Sequence, residues 1–213
     1  ANGLQHLDYC SYFVKVHPDQ GSRLFDEATL ARAFHPTGCH YGTLRRAYPI
    51  PSHELYRSVL LLRDPRDCLV SHYYSVRDSH TLNNRGNLEA RREALRTDID
   101  QWVLGKASEY GQDFEQFHTR LVGKPGVLFL RYEEMVTAFP DFLRKIVAHT
   151  GLDQDQEAVA RILEEADFEV SGENLLAHKR SVKPGNHLKK LKPETVDRLN
   201  GALAEVLELF AYR

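Results

Sequence analysis

Two short apolar runs stand out in the hydrophobic and polar pattern of this chain. Ser58-Val-Leu-Leu-Leu62 has no polar alternation, which is typical of a strand buried on both faces. Gly126-Val-Leu-Phe-Leu130 is a second run of this kind, and we expect it to begin a buried strand that extends to Met135. Short buried strands that alternate with longer helical patterns predict an α/β domain, with a mainly parallel central sheet flanked by helices.

Helical periodicity accounts for much of the remaining sequence. The predicted helices cover residues 26–34, 98–121, 140–149 and 155–166, and a last helix starts at Pro193. We interpret the apolar stripes of the longest and the last of these helices as core faces rather than binding surfaces. Residues 77–92 are polar and charged, with a breaker at 83–86, and we expect a mobile surface loop there.

The junction after the first apolar run carries the first chemical signal. Arg63 follows the run directly, Asp64 suits a helix N-cap, and Pro65 suits the first helical position, so a helix should extend to about Val76. An arginine at the carboxyl end of a strand, beside a helix amino terminus, favours an anionic ligand. Ser71 lies two turns along the helix and could reach the same anion. A salt-bridged turn with a buried serine is the alternative interpretation.

Composition narrows the class of ligand and the compartment. The formal net charge is −2, which argues against a general nucleic-acid binder, so a phosphate site must be a local basic cluster. The three cysteines, Cys10, Cys39 and Cys68, have no metal-ligand spacing and no disulfide framework. They predict a reducing, cytoplasmic location. No apolar run approaches the roughly 20 residues that span a bilayer, and no signal peptide is visible.

The segment Arg63-Asp-Pro-Arg-Asp-Cys-Leu-Val-Ser71 resembles the 3′-phosphate-binding segment of the PAPS-dependent sulfotransferases, in which an arginine is followed eight residues later by a serine. The resemblance implies a P-loop-like, three-layer α/β fold that forms a single domain over residues 1–213. It also implies that Arg63 and Ser71 hold the 3′-phosphate of the donor, 3′-phosphoadenosine 5′-phosphosulfate (PAPS).

Two later segments are similar to further landmarks of the same family. Tyr132 follows the second strand, where the family has a tyrosine that contacts the adenosine of the donor; a tyrosine capping the sheet edge is the alternative.

The stretch from Arg180 to Glu194 resembles the last donor-binding loop, and Arg180, Gly185, Pro193 and Glu194 match it in register. The resemblance assigns Arg180 to the 3′-phosphate and Gly185 to the donor loop. Ser181, Val182, Asn186 and His187 depart from the pattern, and a solvated basic face is the alternative.

A candidate base lies upstream of the phosphate-binding segment. In the family a histidine slightly more than twenty residues before the arginine takes the proton of the acceptor. His40 lies 23 residues before Arg63, and an imidazole titrating near neutrality suits that task. The family often has a lysine two residues before this histidine, where this chain has Gly38. His35 is a nearby competitor, and a surface histidine without a role is the alternative.

The family's amino-terminal loop has no counterpart in this sequence. That loop, of the type Lys-Ser-Gly-Thr-Thr-Trp, cradles the 5′-phosphosulfate, and neither it nor a Walker lysine motif occurs here. Either the strand and loop lie ahead of Ala1, which we expect, or the protein lacks half of the donor site. In the second case the chain should be a poor catalyst.

The resemblance therefore implies a sulfotransferase that moves a sulfonyl group from PAPS to a hydroxyl or amine of a small-molecule or carbohydrate acceptor. The product would be 3′,5′-adenosine bisphosphate (PAP), and no metal is expected. A P-loop small-molecule kinase and a non-catalytic adenosine-nucleotide-binding homologue are the alternatives. The acceptor and the oligomeric state cannot be inferred from the sequence.

Overall fold

The computed structural model describes residues 3–8, 26–35, 37–79, 85–152, 156–166 and 183–212. Within these residues the chain forms two compact units that alternate along the sequence. The first unit takes its residues from Ala1–Leu60, Gln116–Leu130 and Pro140–Glu164, and the second from Leu61–Glu115, Arg131–Phe139 and Glu165–Arg213. The single domain expected over residues 1–213 stays a prediction.

The first unit contains two short parallel strands. β1 (Gln5–Leu7) pairs with β2 (Cys39–Tyr41), and the register places His6 opposite His40. Because side chains alternate between the two faces of a strand, residues paired in register project from the same face of the sheet. This small sheet therefore brings two histidines together from distant parts of the chain.

Helix α1 (Glu27–Ala33) lies between these strands in sequence and corresponds to the helix predicted over residues 26–34. Asp26 caps it by accepting a hydrogen bond from the Thr29 N–H at 2.8 Å, which satisfies one of the free donors of the first turn. Leu30 and Phe34 are both buried and form the centre of a small apolar cluster. The predicted helix is confirmed.

The two apolar runs form a second pair of strands. β3 (Ser58–Leu62) is hydrogen-bonded to β4 (Val127–Arg131), and the Ser58 N–H donates to the Gly126 carbonyl at 2.8 Å. The α/β class predicted from the sequence is confirmed. The prediction that β3 is buried on both faces is wrong. Leu60 and Leu62 are buried, but Val59 and Leu61 are 38% and 41% exposed. An apolar run predicts the strand, but it does not determine how many layers cover it.

Four helices follow the strands as predicted, with small shifts at their ends. They are α2 (Pro65–Tyr74) after β3, α4 (Ile99–Leu121), and, after β4, α6 (Phe139–Thr150) and α7 (Gln156–Ala166). A π-helical turn, Ser75–Ser79, continues α2, and a short helix α5 (Tyr132–Thr137) separates β4 from α6. The strand predicted to extend to Met135 is therefore wrong beyond Arg131, because the chain is helical from Tyr132 onward. None of the described helices is both long and apolar enough to cross a membrane.

The prediction of a loop at residues 77–92 is wrong for the second half of that range. Helix α3 (Arg85–Arg96) occupies that part of the chain and is rich in strong helix formers such as arginine, glutamate and alanine. Ala94 is 1% exposed, and the Arg91 guanidinium donates to the Val76 carbonyl at 3.1 Å. A mostly charged segment thus forms a helix because one narrow face packs against the protein.

The carboxyl-terminal segment provides much of the core of the second unit. It forms a short helix α8 (Asn186–Lys190), then α9 (Pro193–Ala202) and α10 (Ala204–Leu209), which are separate helices because the chain bends at Leu203. The predicted apolar stripe is buried throughout and comprises Val196, Leu199, Leu203, Val206, Leu207 and Phe210. This stripe is confirmed as core.

Candidate anion-binding site

The junction between β3 and α2 is held by a buried ion pair. Asp64 caps α2 by accepting from the Arg66 N–H at 2.9 Å, and Pro65 is the first helical residue, as predicted. The Arg66 guanidinium donates to both carboxylate oxygens of Asp64, at 3.0 and 2.6 Å, and to the Asn200 side-chain oxygen at 2.6 Å. These contacts fix the direction in which the chain leaves the strand.

Arg63 is held on two sides at the end of β3. Its Nη2 donates to Asp67 Oδ2 at 3.0 Å and to the Lys183 carbonyl at 3.4 Å. Its guanidinium lies 4.7 Å from the centre of the Tyr132 ring, a cation–π contact. The Nε atom of Arg63 is buried and has no hydrogen-bond partner among the described residues. Arg63 and Tyr132, both predicted from the sequence, therefore meet at one place.

Asp67 is the centre of this site and is not among the residues predicted from the sequence. Its carboxylate is fully buried and accepts from Arg63, from the Gly185 N–H at 2.8 Å, and from the His187 N–H and Nδ1 at 2.9 and 2.7 Å. Burial raises the pKa of Asp67, but the His187 hydrogen bonds and the Arg63 charge outweigh it and hold the pKa at about 2. An acidic residue four positions after an arginine was the available signal.

The carboxyl-terminal loop reaches the β3–α2 junction through this carboxylate. Gly185 has φ of +82°, a left-handed conformation that favours glycine, and α8 begins immediately after it. Through Asp67, the predicted donor-loop residue Gly185 is thus joined to Arg63. Arg180 lies outside the described residues, so the meeting of two arginines on one phosphate stays a prediction. Ser71 is half-buried on α2, and its predicted role is equally untested.

A cleft of about 650 Å³ adjoins this network. At its edge the Asp64 N–H donates to Glu133 Oε1 at 3.1 Å, while Glu133 Oε2 and the Tyr212 hydroxyl are buried without a partner among the described residues. Burial, and then the charge of Glu133, raise the pKa of Tyr212. The walls of the cleft include Asp67, Arg131, Gly185, His187, Leu188 and Asn200.

The predicted base lies in the first unit. His40 is an exposed residue of β2, and its Nδ1 lies 2.9 Å from Nδ1 of His6. His35, the competing candidate, is also exposed, and its backbone N–H donates to the Tyr41 hydroxyl. The role of His40 stays a prediction, and the contact with His6 was not anticipated from the sequence.

Comparisons with solved structures identify the fold. A mouse sulfotransferase, SULT7A1, complexed with PAP superposes with a TM-score of 0.63 at 16% identity, over 100% of this chain and 89% of the other. A retinol dehydratase in complex with androsterone and inactive cofactor PAP gives a TM-score of 0.54 at 20% identity, over 85% of this chain and 57% of the other. The P-loop-like α/β fold expected from the sequence is therefore confirmed.

Comparisons of sequence identify the family. Sulfotransferase 1C2 from Homo sapiens and from Rattus norvegicus are each 27% identical to this chain over 122 residues, which is 56% of this chain and 38% of either relative. The chain thus matches well under half the length of these relatives. The family model described as the sulfotransferase domain matches residues 52–194, more than half of the chain. This protein therefore belongs to the sulfotransferase domain family.

Proposed function

We propose that the protein transfers a sulfonyl group from PAPS to a hydroxyl or amine of a small-molecule or carbohydrate acceptor and releases PAP. Arg63, Ser71 and Arg180 bind the 3′-phosphate of the donor, Tyr132 contacts its nucleoside, and Gly185 belongs to the donor-binding loop. His40 accepts the proton of the acceptor.

The observation that carries this proposal is the arrangement of Arg63. Its guanidinium is oriented by Asp67 and by the ring of Tyr132, at the amino end of α2. One donor of the fork, Nε, has no partner among the described residues. A fixed guanidinium at the amino end of a helix is a suitable site for a phosphate, since the helix dipole favours negative charge there and charge-assisted hydrogen bonds are strong.

The related structures support a nucleotide with a 3′-phosphate. Both the mouse sulfotransferase and the retinol dehydratase were solved with PAP, and the latter also with androsterone. Membership of the sulfotransferase family favours PAPS over ATP, and so argues against the small-molecule kinase. A homologue that binds the nucleotide without turnover is distinguished by a direct assay for sulfonyl transfer.

A cytoplasmic location is part of the proposal. Cys39 and Cys68, the two cysteines within the described ranges, are free thiols. Burial raises the pKa of Cys68 to about 12, and its Sγ lies 3.7 Å from the Arg63 carbonyl, which it can contact as a weak donor. Reduced thiols of this kind suit a reducing compartment.

Calorimetric titration of the full-length protein tests the donor site. Arg63→Ala should bind PAP about 10- to 100-fold more weakly, since a hydrogen bond to a charged group contributes about 1.5–3 kcal/mol. The affinity for adenosine 5′-phosphate, which has no 3′-phosphate, should change much less. Arg144→Ala is the matched control, because Arg144 lies on α6 with its side chain 72% exposed.

Two results would contradict the proposal. An Arg63→Ala variant with unchanged PAP affinity would remove the arginine from the donor site. Tighter binding of magnesium ATP than of PAP by the wild-type protein would instead favour the kinase.

A further inference from the structure

Two histidine side chains face each other on the small sheet of the first unit. His6 of β1 and His40 of β2 are paired in register, with their Nδ1 atoms 2.9 Å apart. Their ring centroids are 5.1 Å apart, and the ring planes make an angle of 28°. Both residues are exposed, so the pair is accessible to a substrate.

The distance between the two nitrogens limits their protonation. At 2.9 Å the contact has the length of a hydrogen bond, and one Nδ1 must donate while the other accepts. If His40 donates, its Nε2 is unprotonated and can act as a base. If His6 donates, Nε2 of neutral His40 carries the proton and cannot accept another. The partner at Nδ1 therefore decides whether His40 is a base.

We infer that His6 is a positioning residue that accepts the Nδ1 proton of His40 and so keeps Nε2 of His40 free to act as a base. This inference rests on the proposed sulfonyl transfer. In that step the acceptor O–H bond breaks, and its proton moves to Nε2 of His40. The acceptor oxygen forms a bond to sulfur, and the bond between sulfur and the 5′-phosphate oxygen breaks, with its electrons leaving on PAP.

The same contact stabilises the product of the proton transfer. Protonated His40 carries a positive charge and donates through Nδ1 to a neutral His6, and such charge-assisted hydrogen bonds are stronger than neutral ones. A single contact therefore orients neutral His40 and stabilises protonated His40. The backbone pairing of β1 and β2 brings the two rings together. An upstream strand thus supplies the orienting partner of the base.

The absence of a side chain at Gly42 leaves room for the His6 ring. A Cβ at this position would lie 2.9 Å from Cε1 of His6, and the Gly42 N–H donates to the Leu7 carbonyl at 2.7 Å. The backbone therefore packs against the ring of His6, and any larger residue at 42 must displace that ring. Gly42→Ala can consequently disturb the pair while both imidazoles remain.

NMR spectroscopy can measure the tautomer of His40 directly. In the full-length protein, ¹⁵N-labelled on histidine and kept in EDTA to exclude metal ions, NMR spectroscopy at neutral pH should show His40 protonated at Nδ1. His6→Phe keeps a ring but has no acceptor, so protonation of His40 at Nε2 should increase. His6→Asp can only accept at this pH, so His40 should stay protonated at Nδ1.

Turnover with PAPS and a simple phenol as the acceptor probe should follow the tautomer. His6→Phe should lower kcat about 10- to 100-fold, with the KM for PAPS within about twofold of wild type. Gly42→Ala should give a smaller loss. His6→Asp should retain activity, and the pH at which the base titrates should rise because a carboxylate stabilises the imidazolium. The other titratable groups on the two strands and the adjoining turn are Asp8, Cys39 and Tyr41.

The outcomes separate this inference from the proposed function. Wild-type His40 protonated at Nε2, or a His6→Phe variant with unchanged tautomer, kcat and pH profile, would overturn the role of His6. An inactive His6→Asp variant that still binds PAP would also overturn the role of His6. If the wild-type protein binds no PAP and transfers no sulfonyl group, the proposed function fails, while the tautomer still shows which histidine donates.

Discussion

Replacing Asp67 by asparagine tests how strongly the candidate anion-binding site is held together. The fully buried carboxylate accepts from Arg63, from the Gly185 N–H and from two donors of His187. An asparagine keeps one acceptor oxygen but turns an NH₂ group toward these donors. The substitution therefore removes the ion pair and leaves buried donors without a partner.

The size of the effect follows from the pKa of Asp67 and from its burial. The pKa is about 2, compared with the ordinary value of 3.8, which corresponds to about 2 kcal/mol in favour of the folded, ionised form. Removing one partner of a buried pair costs about 3–5 kcal/mol when the other charge stays uncompensated. We expect Asp67→Asn to lower the free energy of unfolding by about 3 kcal/mol at pH 7.

Urea unfolding at pH 7 measures this loss, and pH supplies a second check. A lowered folded-state pKa gives stability that is complete above the unfolded pKa and is lost as the pH falls toward 2. The gap between wild type and Asp67→Asn should therefore narrow below about pH 4. Asp141→Asn is the control, because it breaks an ion pair between Asp141 and Arg144 on the protein surface, where the Asp141 side chain is 62% exposed. This substitution should lower the free energy of unfolding by less than about 1 kcal/mol. Equal losses for the two variants would refute the central role of Asp67.

The remaining predictions concern the base and the chain turn before β4. His40→Ala should lower turnover by about 10²- to 10⁴-fold while PAP affinity stays within about twofold; a fully active variant would exclude His40 from the mechanism. Gly126 and Gly123 both have positive φ, but only at Gly126 would a Cβ meet a backbone atom, 2.5 Å from the Tyr56 carbonyl oxygen. Gly126→Ala should therefore cost about 2 kcal/mol more than Gly123→Ala in urea unfolding, and equal costs would show that the contact relaxes freely.

Local rules explain why the β3–α2 junction was predictable. The strand Ser58–Leu62, the cap at Asp64 and the helix start at Pro65 depend on residues a few positions apart. The same holds for α1, whose Asp26 cap and buried Leu30 follow from a short motif. The resemblance to the sulfotransferases added Tyr132, and the structure places its ring on Arg63.

Other expectations failed because packing, not local pattern, decides them. Every residue of β3 after Ser58 is apolar, yet only Leu60 and Leu62 are buried. The charged pattern of α3 predicts a loop, but the segment is helical because a narrow face around Ala94 is covered by neighbouring chain. Exposure depends on what lies beside an element, and hydrophobic periodicity alone does not contain that information.

By itself, then, the sequence determined the elements that build the site and the identity of its arginine, because caps, breakers and apolar runs act over a few residues. Only the tertiary structure brought His187 to Asp67, across 120 positions, and His6 to His40, across 34. These contacts depend on the path of the chain between the partners. The backbone pairing of β1 with β2 places His6 within hydrogen-bond distance of His40, and the packing of the carboxyl-terminal loop against α2 does the same for His187 and Asp67.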